Sequence, residues 1–248
     1  WLVTEVAGEY GDACRAVHEG PPERQRRLYR VRARLAGLLA MVFGEAERPR
    51  QVDGWLSAAD DAAQAAGDPV LGCWVGALTV WAACERGEYV EALEIAEEVI
   101  EMAPAGAVLA EAARTLAWAE RGQSSEALAS LGRADQAYAH LGEDQTGHGV
   151  LGYAEVLRHQ HRGRVFAVLG MPVLGRYALA SAWGCCPVEA VRMRAQIEVD
   201  LARCAIQEDG WPAVAPRAEA IIDRLPVEQR TARLARQVRE LMGQAERS

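Results

Sequence analysis

Several short stretches of the chain have residue types that can bind phosphate, metal ions or anions. Residues 147–152 are Gly-His-Gly-Val-Leu-Gly, which fits the G-x-G-x-x-G pattern that holds a dinucleotide pyrophosphate between a strand and a helix. The preceding residues, 126–142, have Ala and Leu at helical spacing, and another helix-like segment follows. We therefore expect the glycines to form a loop between two helices, and we expect no dinucleotide site.

Histidine and arginine are concentrated in residues 158–164, whose sequence is Arg-His-Gln-His-Arg-Gly-Arg. His159 and His161 are two residues apart, so on a helix they lie on different faces and are poorly placed to chelate a metal. The arginines of this segment either bind an anion or pair with carboxylates on the surface. These arginines are Arg158, Arg162 and Arg164.

The six cysteines, at positions 14, 73, 84, 185, 186 and 204, form no C-x-x-C motif. Cys14 and His18 are four residues apart on a predicted helix, but no second pair completes a zinc site. Cys185 and Cys186 are adjacent, which is a weak indication of redox chemistry. Most of the cysteines lie in apolar helical stretches, which favours reduced core thiols and a cytoplasmic location. We expect no bound metal and no cofactor.

Sequence motifs of common enzymes are absent: there is no H-E-x-x-H, no G-x-S-x-G and no P-loop. All 27 basic residues are arginine, so a Schiff-base lysine and a phosphate-binding Walker lysine are both excluded. We predict that the chain is not an enzyme, although a Cys–His pair assembled by the fold stays open as an alternative.

The charge balance argues against direct binding to nucleic acid. The 248 residues have a formal net charge of −8 and a pI of about 5.3, which repels a phosphate backbone. Residues 23–34 are locally basic and indicate either an anionic partner or a solvated helix face. No apolar run approaches the length of about 18 residues that would indicate a membrane span. The first residue is Trp1 and not Met, so we expect a part of a longer protein.

Almost the whole chain has the apolar spacing of amphipathic helices, interrupted by Gly and Pro. No segment has the alternating pattern of a β-strand, so the predicted class is all-α. The predicted helices lie near residues 2–18, 23–46, 51–66, 69–86, 89–103, 106–121, 124–141, 150–169, 173–185, 188–208, 212–224 and 227–245.

A repeat is visible in four segments that begin at a glycine and run through one helix to a break. Their first glycines are 35, 48 and 40 residues apart, which indicates a unit in the mid-thirties with insertions. Small residues inside each unit would let two helices approach closely. The four segments span residues 87–104, 122–142, 170–187 and 210–226.

This pattern resembles the tetratricopeptide repeat, a pair of antiparallel helices with small residues at fixed positions. The clearest copy has Gly163, Phe166, Gly175, Leu179, Ala182 and Pro187 in register with that pattern. The resemblance implies a right-handed superhelix of helix pairs over residues 69–226. Residues 1–68 would then form N-terminal helices with a degenerate repeat, and residues 227–248 would form a capping helix.

Residues 34–43 and 55–96 are also similar in pattern to the helical-repeat regions of actinobacterial transcriptional regulators that have an N-terminal helix-turn-helix domain. That similarity implies a sensor or scaffold that binds a small effector or a peptide. DNA would be bound only through a domain that this chain does not contain. The alternatives are a stand-alone protein–protein adaptor and, less favoured, a biosynthetic auxiliary protein or enzyme, and a homodimer is compatible with each.

In such a superhelix the first helix of each pair lines the concave surface, where a ligand would bind. Trp74 and Trp81 are seven residues apart and share one helix face, so they would form an aromatic wall. The alternative is that both tryptophans pack between helix pairs. The predicted ligand-binding residues are Trp74, Trp81, Tyr153, Gln160, Arg164 and Asp200.

Overall fold

The structure is a computed structural model that describes residues 2–17, 20–102, 108–142, 146 and 152–245. This part of the chain has twelve α-helices of 13 to 24 residues and no β-strand, which confirms the predicted all-α class. The helices are α1 (Leu2–Ala16), α2 (Pro22–Glu45), α3 (Pro49–Ala66), α4 (Pro69–Arg86), α5 (Tyr89–Met102), α6 (Val108–Glu120), α7 (Ser124–Ala139), α8 (Glu155–Val168), α9 (Pro172–Cys185), α10 (Val191–Asp209), α11 (Trp211–Asp223) and α12 (Ala232–Ala245).

Glycines that were predicted to separate the helices end them in a left-handed conformation. Gly87 after α4 and Gly170 after α8 have φ values of 78° and 71°, which a residue with a Cβ rarely adopts. The amide of Gly87 bonds to the carbonyl of Cys84, and the next amide bonds to the carbonyl of Ala83. These two bonds satisfy the last carbonyls of the helix and turn the chain sharply.

Consecutive helices pack in pairs, namely α2 with α3, α4 with α5, α6 with α7, α8 with α9 and α10 with α11. One to three residues connect the two members of each pair, so the chain reverses its direction within the pair. The even-numbered helices also contact one another in chain order from α2 to α12, and α12 contacts α2. The last helix of the chain therefore lies against the first pair.

Two glycines allow α8, α9 and α10 to approach closely. A Cβ placed on Gly163 would lie 2.4 Å from Cγ of Leu179 and 3.1 Å from the carbonyl oxygen of Gly175. A Cβ on Gly175 would lie 2.7 Å from Sγ of Cys204. Because both contacts are shorter than normal van der Waals distances, a larger residue at either position would push the helices apart.

The helix bounds differ from prediction at two places that affect the site. Residues 150–169 were expected to be one helix, but α8 begins at Glu155; Tyr153 lies outside the helix, and Ala154 has extended backbone. Residues 227–245 were also expected to be one helix, but a short 3₁₀ turn comes first. The start of α12 is set by Thr231, whose hydroxyl accepts a hydrogen bond from the amide of Leu234.

The predicted aromatic wall is divided between two environments. Trp74 is only 4% exposed and packs in the core formed by α2, α3 and α4, where Gly37 leaves space for its ring. A Cβ on Gly37 would lie 2.3 Å from Cη2 of that ring. Trp74 therefore packs between helix pairs, which was the alternative to an open groove, while Trp81 is partly exposed.

Replacement of Gly37 by alanine should destabilise the protein, because the added methyl group overlaps the ring of Trp74. We expect a loss of about 1–3 kcal/mol in the free energy of unfolding. The melting temperature should fall by roughly 2–4 °C per kcal/mol. Differential scanning calorimetry of Gly37→Ala measures the effect.

Gly54→Ala is the matched control, because Gly54 lies inside α3 and a Cβ there meets no atom within 4 Å. Alanine has the higher helix propensity by about 1 kcal/mol, so this variant should be unchanged or slightly more stable. Equal melting temperatures for Gly37→Ala and Gly54→Ala would contradict the packing described for Trp74.

Candidate functional site

Three rings pack together where α4 and α8 meet. The imidazole of His161 lies 4.5 Å from the ring of Trp81 and is stacked on Tyr153 at 5.5 Å, measured between ring centroids. The hydroxyl of Tyr153 is hydrogen-bonded to Nδ1 of His161 at 2.9 Å. Tyr153 lies two residues before the start of α8, and Ala154 between them has extended backbone.

The environment of this stack keeps its polar groups uncharged. Burial, together with the nearby charges of Arg164 and Arg233, lowers the pKa of His161 to about 3. Burial also raises the pKa of Tyr153. At neutral pH both groups are therefore neutral, and the imidazole is poorly suited to exchange protons with a substrate.

A second buried group is at the adjacent residue of α8. The amide of Gln160 donates a hydrogen bond to Oδ2 of Asp200 on α10 at 3.2 Å. Arg203 donates to Oδ1 of Asp200 at 2.8 Å. Asp200 is fully buried, so these partners are what make its charge tolerable there.

The carboxylate of Glu85, at the end of α4, is the centre of a larger network. It pairs with Arg164 of α8 at 3.4 Å, with Arg233 of α12 at 2.6 Å and with Arg236 of α12 at 3.2 Å. Burial by itself would raise the pKa of Glu85, but Arg233, Arg164 and Arg236 outweigh it and the pKa is lowered. Glu85 is therefore ionised and joins three helices.

The same arginines extend the network to the end of α2. Arg233 also pairs with Glu45 at 3.3 Å, and Arg236 pairs with Glu47 in the turn that follows α2. Arg192 of α10 pairs with Glu45 at 3.1 Å. Five of the even-numbered helices, α2, α4, α8, α10 and α12, and the turn after α2 are thus linked by charge-assisted hydrogen bonds and ion pairs.

The structure brings five of the six predicted site residues to one region around α8. Arg164 links the Glu85 network to the buried Asp200. Its guanidinium pairs with Glu85, and both carboxylates affect its pKa. Burial acts to lower that pKa, but Glu85 and Asp200 raise it above its ordinary value. Trp74 lies apart in the core. The five residues are Trp81, Tyr153, Gln160, Arg164 and Asp200.

Sequence reasoning did not identify Glu85, Arg233 or Arg236 as parts of this region. Arg233 and Arg236 are three residues apart and therefore share a face of α12, which was the available signal. Their partner Glu85 is 148 residues away from Arg233 along the chain. No local pattern could have assigned that pairing.

The remaining motifs of the sequence have simpler placements. Arg158 and Arg162 both pair with Asp135 of α7, at 3.2 Å and 2.7 Å, which is the surface-pairing alternative. Within the described residues no group of three His, Cys, Asp or Glu side chains could hold a metal ion. His18 and residues 147–151 lie outside the described part of the chain, so the structure does not bear on either motif that contains them.

A small cleft lies between α6, α7 and α8 beside the aromatic stack. Its volume is about 10 Å³, which is room for about one water molecule. A larger ligand must therefore bind elsewhere or displace these side chains. The polar residues that line the cleft are Thr115, Asp135, Tyr153, Arg158, His161 and Arg162.

The lowered pKa of His161 predicts a pH dependence of stability. In the unfolded chain the imidazole takes up a proton below about pH 6.5, whereas in the folded protein it does so only near pH 3. The unfolded state therefore binds more protons between these values, and the folded state loses stability as the pH falls. We expect this residue to account for a loss of about 1–2 kcal/mol between pH 7 and pH 5.

Denaturant unfolding of wild type, His161→Gln and His140→Gln at pH 7 and pH 5 measures this contribution. His161→Gln should reduce the loss of stability on acidification. His140→Gln, which changes an exposed histidine, should leave it as in the wild type. The same pH dependence in all three proteins would show that His161 is not shielded from protonation.

Replacement of Glu85 by glutamine should loosen α12, because three guanidinium groups lose the carboxylate that holds them together. The expected cost is about 2–4 kcal/mol. Amide hydrogen exchange measured by mass spectrometry should be faster in residues 232–245. The matched control is Glu88→Gln, whose surface pair with Arg86 contributes less than about 1 kcal/mol. Unchanged exchange in α12 of Glu85→Gln would contradict this role.

No helix in the described part of the chain is both long enough and apolar enough to cross a membrane. Comparison of the chain with protein-family models, with curated proteins and with solved structures finds no match. The function is therefore inferred from the geometry of the site.

Proposed function

We propose that this chain is a binding domain of the tetratricopeptide-repeat type and the sensor or scaffold part of a transcriptional regulator. Its helix pairs form a right-handed superhelix over residues 69–226, preceded by the N-terminal helices and closed by α12. A small effector or a peptide binds on the side where the even-numbered helices meet. The pairing of successive helices and the close approach at Gly163 and Gly175 support this arrangement.

The observation that carries the proposal is a pair of buried donors with no acceptor. Five arginines have a buried Nε that forms no hydrogen bond within the described residues, and Arg164 and Arg233 are the two of them that lie at this site. Buried guanidinium donors without a partner are unfavourable, so such groups usually bind water or a ligand. Both arginines also bind Glu85, which places the two free donors in the same neighbourhood.

The chemistry of these donors indicates which ligands are suitable. A carboxylate or a row of peptide carbonyl groups offers the oxygen acceptors that the two guanidinium groups lack. Trp81 is partly exposed beside them and provides an apolar surface. Tyr153, Gln160 and Asp200 are buried, so in this proposal they position α8 and do not touch the ligand. An acidic peptide segment or a carboxylate-bearing effector is therefore the ligand class.

The role that we propose is not catalytic. His161, with a pKa near 3, and the thiol of Cys84, whose pKa burial raises to about 12, are both far from the range that proton transfer at neutral pH requires. A net charge of −8 also disfavours DNA as a direct ligand, so DNA would be reached only through a domain outside this chain. A stand-alone adaptor would use the same surface, and a helix-turn-helix domain in the same gene product would distinguish the two.

Binding should depend on Arg164 and Trp81 more than stability does. A peptide array and a panel of carboxylate metabolites, followed by native mass spectrometry of the full chain, would identify a ligand. Arg164→Gln and Trp81→Ala should each weaken its binding by at least about tenfold, which corresponds to about 1.4 kcal/mol. Binding should also weaken with added salt, because part of it is electrostatic.

The matched control is Arg26→Gln, which changes an exposed arginine of α2 that forms no ion pair within the described residues. This variant should bind as the wild type does. If Arg164→Gln lost binding only in proportion to its melting temperature, or if salt had no effect, the proposed ligand class would be wrong.

A further inference from the structure

The outer surface of α9 is unusually apolar for an exposed helix. Twelve large apolar side chains are exposed in the described part of the chain, and five of them lie between residues 173 and 188. Tyr177 is 73% exposed. Scattered exposed apolar side chains are normal, but a cluster of this kind marks an interaction surface. Four of the five are in α9 and Val188 is in the turn that follows it; the five are Val173, Leu174, Tyr177, Trp183 and Val188.

This surface is also nearly free of charge. Arg176 is the one charged residue of α9, and it pairs with Glu208 of α10 at 3.1 Å. Trp183 is held in place by the guanidinium of Arg194, which lies 4.5 Å from its ring centroid. A strongly charged partner would find few groups to pair with here, whereas an apolar and neutral partner would fit.

We propose that this surface binds a second copy of the chain, with the two α9 helices antiparallel across a twofold axis. Each copy then contributes the same patch, as in most homodimers. This surface is separate from the site around Glu85, so the proposal does not depend on the proposed ligand. The sequence was compatible with a homodimer but did not indicate its interface, and this proposal names the residues of that interface.

Self-complementarity is the geometric argument for a second copy. Let the twofold axis pass between Ala180 and Ser181. Tyr177 of one copy then lies opposite Gly184 of the other, because Tyr177 is three residues before Ala180 and Gly184 is three residues after Ser181. A Cβ on Gly184 would meet no atom within 4 Å, so there is open space for the tyrosine ring. Ala180 and Ser181 are small, which permits a close helix crossing at the axis.

The ends of the surface are complementary in the same register. Val188, in the turn that follows α9, lies near Val173 at the start of the second copy's α9, which brings two exposed apolar side chains together. Glu189 lies in the same turn after α9, so it comes to the end of the second copy's α9 where Arg176 lies. Glu189 is exposed and forms no ion pair within the described residues. Each copy thus offers a cation at one end and an anion at the other, and antiparallel packing brings them together twice.

The size of the patch predicts a weak dimer. The five apolar side chains expose an area on the order of 500 Å², so two copies would bury about 1,000 Å² in total. That is near the lower limit for a specific interface. We therefore expect a dissociation constant in the micromolar range.

Sedimentation velocity of the full chain from about 1 to about 200 µM, in about 0.15 M salt, tests the proposal. The wild type should change from monomer to dimer over this range. Tyr177→Glu and Leu174→Glu should each weaken association at least tenfold, with circular dichroism melting curves that match the wild type. Leu128→Glu changes an exposed leucine of α7 outside the surface and should associate as the wild type does.

A cross-link tests the register. In a Cys185→Ser background, Ser181→Cys should form a disulfide-linked dimer under mild oxidation, because residue 181 of each copy lies beside the axis. Ser125→Cys, an exposed position on α7, should not. A monomer at every concentration, or a dimer that Tyr177→Glu leaves unchanged, would overturn the proposal. Failure of Ser181→Cys to cross-link a dimer that Tyr177→Glu disrupts would overturn the antiparallel register.

Discussion

The arrangement of this protein depends on one carboxylate that holds three guanidinium groups from two distant helices. Glu85 lies in the last turn of α4, and its partners come from α8 and α12. A carboxylate at this degree of burial is stable only if its partners remain in place, and each arginine needs an anion for the same reason. The network therefore fixes α12 against α4 and, through Glu45, against α2. Without it, little else described here would join the last helix to the first pair.

Next to this network, α8 is the helix that contacts several of the others. Gly163 brings it close to α9, and Gln160 ties it to α10 through Asp200. His161 packs it against α4 through Trp81. Because consecutive residues of one helix point in different directions, a short segment can contact all of these neighbours. The dense sequence of residues 158–164 is thus explained by packing on several sides, and no catalytic role is needed to account for it.

Local features of the structure could be predicted from the sequence, whereas its distant contacts could not. Apolar periodicity and the glycines gave the all-α class and most helix bounds, because both act within a few residues. The start of α12 was missed because Thr231 forms a side-chain cap that periodicity does not reveal. Trp74 and Trp81 share a helix face, but Gly37 on another helix decides that only Trp74 is buried. The pairing of Glu85 with Arg233 depends on tertiary structure alone.

A double-mutant cycle between Glu85 and Arg233 tests the central claim most directly. The free energy of unfolding is measured for the wild type, Glu85→Gln, Arg233→Gln and the double variant. Because the two side chains are in contact, their effects should not add, and we expect a coupling energy of at least about 1 kcal/mol. Additive effects within about 0.3 kcal/mol would mean that the two residues do not interact, and the closure of α12 on α4 would then be wrong.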